Sequence, residues 1–312
     1  MTTAASHPPT APLSSAWSAL PPEYAIPDHA PSEAEARDYC RRLARSHYEN
    51  FSVASWFLPG PLRQHFFNVY AYCRISDDLG DEVGETAASL QLLDQWEKEL
   101  DACYDGCPRH PVFVALAETV RKFEIPKHEF ADLLTAFRQD QNITRYETFN
   151  DLLGYCRYSA NPVGHLVLYL CGYHDSERQL LSNYTCTALQ LANFWQDVSA
   201  DFAKGRIYLP LEDLRRFCVS EEVIGDGENT LAFREMLKFE VERAREWFSQ
   251  GLPLVAKVDR ALAVDIELFS RGGQEILHAI KRHHYAVLGR RPAISKARKL
   301  ALVARAALGK LR

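Results

Sequence analysis

Five oxygen-bearing side chains at helical spacing could do chemistry in this chain. Asp77 and Asp81 stand four apart in Arg74-Ile-Ser-Asp-Asp-Leu-Gly-Asp-Glu82. Asn193, Asp197 and Asp201 repeat that spacing in Gln190-Leu-Ala-Asn-Phe-Trp-Gln-Asp-Val-Ser-Ala-Asp201. Residues four apart on a helix are neighbours, about 5–6 Å from each other on one face. Each cluster therefore forms a stripe of hard oxygen ligands. Two such stripes opposed across a cavity would suit several divalent cations. Mg²⁺ in particular takes few carboxylates, several waters and the phosphate oxygens of a ligand. The chemistry implied is diphosphate binding.

Acids at this spacing also occur as an ordinary solvated helix face. The flanks favour the metal reading. Asp77 follows Val69-Tyr-Ala-Tyr-Cys73, and Asp197 follows Leu189-Gln-Leu-Ala-Asn-Phe-Trp195. A carboxylate set in an apolar helix is tolerated when it is paired or bound to metal.

The elements that must position these stripes are helices. Leu, Ala, Arg and Glu recur at helical periods, and strand-like alternation is scarce. Ser32-Glu-Ala-Glu35 is a capping-box pattern and starts a helix that runs to about residue 51. Further helices are predicted over about 62–82, 86–105, 110–123, 127–141, 176–203, 229–250, 258–287 and 294–308. A long apolar helix over 147–172 is interrupted at Asn161-Pro162, because proline removes a helical hydrogen bond. The expected organisation is a single all-α domain over residues 32–312, preceded by a disordered tail. That tail, residues 1–31, holds seven of the sixteen prolines and no Lys or Arg.

Bulk properties exclude several classes. The net charge of −5 argues against a nucleic-acid binder. No stretch reaches the roughly 20 apolar residues of a membrane span. The N-terminus lacks the basic start and apolar run of a signal peptide. The eight cysteines read as free, buried thiols of a reducing cytosol; Cys103 and Cys107 are the only close pair and have no second pair to complete a zinc site. The expected location is cytoplasmic. From Lys281 to Arg312 there are ten Lys or Arg and no Asp or Glu. This stretch is either a helix lying at the inner membrane surface or a solvated basic helix covering the core.

The order Asp77-x-x-x-Asp81, Tyr155-Cys156, then Asn193-x-x-x-Asp197-x-x-x-Asp201 with Gly205-Arg206-x-Tyr208 resembles the squalene/phytoene synthases, over about residues 36–305. The resemblance implies an all-α isoprenoid synthase bundle around a central apolar cavity. It implies a prenyl diphosphate lipid as substrate and Mg²⁺, replaceable by Mn²⁺, as the cofactor. His47-Tyr-Glu-Asn50-Phe51 resembles the family's His-Ser-x-Ser-Phe segment, which contacts diphosphate. Tyr70 and Arg74 match its Tyr-x-x-Cys-Arg lead-in, Asp140 an acidic position, and Arg291 a phosphate-binding arginine. Gln190 and Tyr208 fall in the second motif's substrate-facing positions, and Tyr155 matches the active-site tyrosine. Catalytic roles thus fall to Asp77, Asp81, Tyr155, Asp197 and Asp201.

Three departures stand out. Asn50 replaces a usual Ser, Gln196 replaces an Arg found in many members, and Ser159-Ala-Asn161-Pro-Val-Gly164 replaces Val-Ala-Gly-x-Val-Gly. Together they resemble the branch that converts presqualene diphosphate to hydroxysqualene in bacterial hopanoid synthesis. That branch needs no NAD(P)H, and no Gly-rich phosphate loop for such a cofactor is present.

For single residues the bland alternatives stay open. Arg74, Arg206 and Arg291 could grip phosphate, for which the planar guanidinium is suited, or form surface ion pairs. His47 could be a structural histidine. Phe51, Tyr70, Tyr155, Tyr158 and Phe194 could face a carbocation or be core. Asn161 could orient a water or cap the helix break. Three functions compete: hydroxysqualene synthesis, head-to-head joining of two prenyl diphosphates to presqualene diphosphate, squalene or phytoene, and a non-catalytic relative. Partner enzymes of squalene synthesis are a further expectation.

Overall fold

The computed structural model describes Trp17, residues 20–46 and 60–295, and positions 297, 298, 300–302 and 304. These hold twelve α-helices: α1 (Glu33–Ser46), α2 (Gly60–Asp81), α3 (Thr86–Asp105), α4 (Pro111–Phe123), α5 (His128–Asp140), α6 (Phe149–Ser159), α7 (Asn161–Leu170), α8 (Ser176–Ala203), α9 (Leu211–Arg216), α10 (Glu221–Gly225), α11 (Leu231–Gly251) and α12 (Arg260–Arg282). The chain divides into two compact units, Met1–Ser46 with Phe67–Asn142, and His47–Phe66 with Ile143–Arg312. One of the boundaries, between Phe66 and Phe67, falls inside α2, where no linker composition marks it.

In the first unit, α1 packs on α4, and α3 packs on α4 and α5. The core is aromatic. Trp96 lies 4.5 Å from Phe113, and Tyr72 lies 4.9 Å from Phe130, centroid to centroid. The Tyr72 hydroxyl donates to the Phe130 carbonyl at 2.8 Å, and Trp96 Nε1 donates to Ser76 Oγ at 2.9 Å. These contacts bury Tyr72, Ile75, Ser76 and Leu79 completely and so fix the rotation of α2. The α1 capping box forms as expected, with Ser32 N–H donating to Glu35 at 2.9 Å.

The tail reading does not hold over residues 20–31. Leu20 and Tyr24 are buried, and a 3₁₀ turn at Pro22–Tyr24 carries the tyrosine inward. The sequence signal was misleading because prolines here shape a packed turn rather than keeping the chain extended.

In the second unit, the 28-residue α8 is the axis, packed against α7, α11 and α12. Contact with α7 is close at Gly164, where an added Cβ would lie 2.2 Å from Ser182 Oγ and 2.6 Å from Cys186 Sγ. The expected interruption is a clean break. Ala160 separates α6 from α7, and Asn161 does not cap α7 with its side chain. The last long helix ends at Arg282 rather than 287, because His284 and Tyr285 take left-handed φ of 52° and 58°. The short α9 and α10 had no periodic signal and went unforeseen. The described positions from 297 to 304 are helical, and Arg298 pairs with Glu275 of α12 at 2.8 Å. The eight cysteines are unpaired; Cys107 and Cys218 are exposed, so burial does not extend to all of them. No described helix is long and apolar enough to cross a membrane.

His110 illustrates how a buried polar group is managed. It is fully buried, and its Nδ1 accepts from Val112 N–H at 3.2 Å, capping α4. Burial lowers its pKa from 6.5 to about 4. Between those values the unfolded chain binds a proton that the folded chain refuses, so stability falls as pH falls from about 6.5 towards 4. The contribution is roughly 3 kcal/mol at most. We expect His110→Asn, which can cap without titrating, to flatten this part of the stability–pH curve in denaturant titrations. An unchanged slope would contradict the assignment.

Candidate active site

The first acidic stripe follows from the packing of α2. With Tyr72, Ile75 and Leu79 turned into the core, the opposite side of the helix carries Tyr70, Arg74, Asp77 and Asp81. Asp77 is half exposed and Asp81 exposed. Asp78, one residue on, is buried. Both its oxygens take the Arg74 fork, Oδ2 from Nε at 3.0 Å and Oδ1 from Nη2, and Oδ2 also accepts from the Tyr24 hydroxyl at 2.8 Å. Arg74 Nη1 stands 3.6 Å from Asp77. Burial works against the Arg74 charge, but Asp78 and Asp77 outweigh it and hold the guanidinium above its usual range. Burial likewise raises the Tyr70 phenol. The Gln141 amide donates to the Gly80 carbonyl at 2.8 Å, bringing the end of α5, and with it Asp140, to the last turn of α2.

The second stripe lies on α8. Ala188, Leu191 and Trp195 are fully buried on one side, which leaves Gln190, Asn193, Asp197 and Asp201 along the other. The next turn carries Arg206, whose N–H donates to the Asp201 carbonyl at 2.8 Å; Gly205 permits the turn with φ of 80°. Arg291 comes to this stripe from far along the chain. Its fork meets both oxygens of Asp197, Nη2 to Oδ2 at 2.8 Å and Nε to Oδ1. That bond to Asp197 raises the guanidinium pKa further. Gln196, one of the departures from the family pattern, explains the approach: its buried amide donates to the Pro292 carbonyl. Gly289 N–H adds a bond to Ser199 Oγ at 3.0 Å. The segment bearing Arg291 is thus pinned along α8.

Towards its N-terminus the same side of α8 becomes apolar. Ser182, Cys186 and Leu189 line a pocket of about 290 Å³ with Val163 and Val167 of α7 and Leu262 of α12. Leu189 is one turn from Asn193, and Ser182 is about 16 Å from it along the axis. A long apolar chain ending in a polar head fits that succession. Asp265, 4 % exposed, also lines the pocket. It was missed, although an acid inside Leu262-Ala-Val-Asp-Ile266 is the same signal that marked Asp77.

Four buried rings gather in this unit. Phe194 stacks on Tyr208 at 3.9 Å, Tyr155 stands 5.8 Å from Tyr208, and Tyr146 lies 5.5 Å from Tyr155. Tyr146 was not foreseen. A lone parallel bridge between Arg145 and Ile207 sets it beside Tyr208, a pairing with no local sequence signal. Tyr158, expected with the aromatics, instead has the Arg157 guanidinium 5.7 Å from its ring. At the α6–α7 break, Asn161 Oδ1 accepts from Thr187 Oγ1 at 3.1 Å, and the buried Ser159 hydroxyl has no hydrogen-bond partner among the described residues. His47, Asn50 and Phe51 lie outside the described residues.

Residues 44–298 match the family Squalene/phytoene synthase. The chain belongs to the squalene/phytoene synthase family. It shares the all-α isoprenoid synthase fold of the family's solved members. The squalene synthase HpnC of Alicyclobacillus acidocaldarius is 43 % identical, with a TM-score of 0.78 over 86 % of this chain and 98 % of that one. A dehydrosqualene synthase solved with a ligand is 26 % identical, with a TM-score of 0.80 over 88 % and 96 %. The 15-cis-phytoene synthase of Synechocystis sp. is 30 % identical over 86 % of this chain and 83 % of its own length. The resemblance drawn from Asp77, Asp81, Asn193, Asp197 and Asp201 is therefore correct at the level of family and fold.

Gln196→Ala should free the Arg291 segment. We expect amide hydrogen exchange at residues 288–291 to quicken at least several-fold while helices α8 and α11 keep their protection. Unchanged exchange there would show that Gln196 is not the anchor.

Proposed function

We propose that this protein converts presqualene diphosphate to hydroxysqualene with Mg²⁺ as cofactor. The observation that carries the reading is the 43 % identity with a squalene synthase HpnC, well above the 26–31 % shared with dehydrosqualene and phytoene synthases. The polar Ser159–Asn161 break supports the water-capture step in particular.

The donor set suits Mg²⁺. Its members are carboxylates and an amide oxygen, all hard ligands, without thiol or imidazole among them. Among the described residues no three His, Cys, Asp or Glu are grouped to enclose a cation alone. Mg²⁺ does not require that, since one or two carboxylates suffice when waters and substrate phosphate complete the shell. Asp77 and Asp81 on α2 are the residues of the first unit that would bind it, and Asn193, Asp197 and Asp201 on α8 those of the second. When bound, Mg²⁺ supplies Lewis-acid stabilisation of the departing diphosphate, worth several kcal/mol.

The protein's own side chains do the rest. Arg291 is 61 % exposed, so its bond to Asp197 is weak in net terms and can be exchanged for phosphate oxygens. Arg206 would bind phosphate beside it. The apolar pocket takes a prenyl chain. Tyr146, Tyr155, Phe194 and Tyr208 present electron-rich faces to the cation left when the C–O bond breaks and its electron pair departs with diphosphate. The Ser159 hydroxyl and the Asn161 amide orient a water, whose oxygen forms the new C–O bond and whose proton passes to the released diphosphate. No reductant enters this balance.

Purified protein with Mg²⁺ and presqualene diphosphate should give hydroxysqualene, with no change of product on adding NADPH. Squalene on NADPH addition would overturn the reading. The names of the phytoene synthase relatives favour a second reading, the joining of two prenyl diphosphates. Turnover of a prenyl diphosphate but not presqualene diphosphate would establish it. Asp77→Ala or Asp197→Ala should cut diphosphate release roughly a hundredfold or more in a folded protein; near-normal turnover in both would remove the metal assignment. Asn161→Gly should keep ionisation but shift product from alcohol towards rearranged or eliminated hydrocarbon. Persistence of the alcohol as main product would show that Asn161 does not govern water capture.

A further inference from the structure

The apolar pocket beside α8 is closed at one end. Leu168 of α7, Leu254 and Leu262 line it there and form a sealed cluster, each 1–2 % exposed. Leu181 of α8 packs against that cluster. It precedes Asn193 by three and a third helical turns, about 18 Å along the axis.

The closed end is held in place from outside the pocket. On Gly251 an added Cβ would lie 2.2 Å from Thr185 Oγ1, so the chain enters the 3₁₀ turn Leu252–Ala256 hard against α8. Arg178 Nε then donates to the Lys257 carbonyl at 2.7 Å. Asp259 N–H donates to Tyr173 Oη at 2.6 Å, and Asp259 Oδ1 accepts from the Leu262 N–H at 3.1 Å, capping α12. Leu254 and Leu262 thus belong to a connection bonded to α8 and to the segment before it.

This end sets a length. An extended chain advances roughly 1.2 Å per bond, so a fifteen-carbon prenyl chain reaches about 14 Å from its diphosphate oxygen and a twenty-carbon chain about 19 Å. With the diphosphate level with Asn193, the first ends inside the pocket and the second meets the leucines. A longer chain must turn out between Val163 and Phe269, which line the pocket and are 44 % and 43 % exposed. Its last unit then sits in water and gains no burial.

We propose that Leu254 and Leu262 are a chain-length stop that fits this pocket to a fifteen-carbon prenyl chain and denies burial to the end of a twenty-carbon one. The inference rests on the reading that the pocket takes the prenyl chain of a ligand whose diphosphate lies at Asn193 and Asp197.

The test is isothermal titration calorimetry of the full chain with Mg²⁺ and the S-thiolodiphosphates of geranyl, farnesyl and geranylgeranyl chains, whose sulfur bridge resists cleavage. Each further buried carbon strengthens binding roughly fourfold. Farnesyl should therefore bind tighter than geranyl by roughly tenfold or more, and geranylgeranyl no tighter than farnesyl. Leu262→Ala deepens the pocket and should raise the affinity for geranylgeranyl relative to farnesyl by roughly threefold or more. Val167→Phe fills the closed end, where Val167 packs on the leucine cluster, and should cut the advantage of farnesyl over geranyl by roughly threefold or more. Each variant is read as a ratio on one preparation, so partial unfolding cancels, and Leu262→Val replaces an alanine variant that does not fold. If wild type binds geranylgeranyl tighter than farnesyl, or if either variant keeps the wild-type ratio, there is no stop at this end and the prenyl pocket still stands. If wild type binds geranyl and farnesyl alike, no chain enters, and the pocket reading and the stop fall together.

Discussion

The second unit depends on the burial of one side of α8. Ala188, Leu191 and Trp195 are sealed against neighbouring helices. Apolar burial of this kind contributes roughly 1.5–3 kcal/mol for each large side chain. Rotating α8 by a single residue would turn Trp195 towards water and bury Asp197. Once the helix cannot rotate, its 3.6-residue period places Ser182, Cys186, Leu189, Asn193 and Asp197 along one line. Apolar pocket and acidic stripe are consequently two ends of one helical surface, and neither needs a separate device to align it.

Burial has a different consequence in the first unit, where Asp77 and Asp78 are neighbours in sequence with opposite surroundings. Turning by about 100° per residue brings Asp78 under cover while Asp77 stays half exposed. A carboxylate moved out of water needs a charge partner and hydrogen bonds. Asp78 has both, from Arg74 and Tyr24. Losing one partner of such a buried pair typically costs about 3–5 kcal/mol. Asp78 is therefore part of the scaffold, while Asp77 beside it stays half exposed.

The departures from the family pattern acquire physical meaning in the same way. Gln196 is buried and carries no charge, so its amide can bond a backbone carbonyl of the Arg291 segment without the desolvation an arginine would suffer there. Ser159 does the reverse. Among the described residues its buried hydroxyl has no partner, beside an Asn161 that is held by Thr187. An unsatisfied buried polar group costs about 1–3 kcal/mol. Such a cost is tolerated where a ligand or a water supplies the missing bond during function.

The sequence alone determined what depends on local rules: the long helices, the capping box at Ser32, the break before Pro162, and the stripes that a four-residue spacing must form. It also carried the family, because Asp77, Asp81, Asn193, Asp197 and Asp201 recur in a fixed order. Only the tertiary structure decided which residues meet across long separations. Tyr146 joins the ring cluster through one bridge to Ile207, Arg291 reaches Asp197 because Gln196 and Ser199 pin its segment, and Tyr24 leaves an apparent tail to cap a buried acid. Helical spacing acts between residues on one helix and is written in their order. Contacts between distant segments are set by which surfaces pack together, and no short stretch of sequence contains that choice.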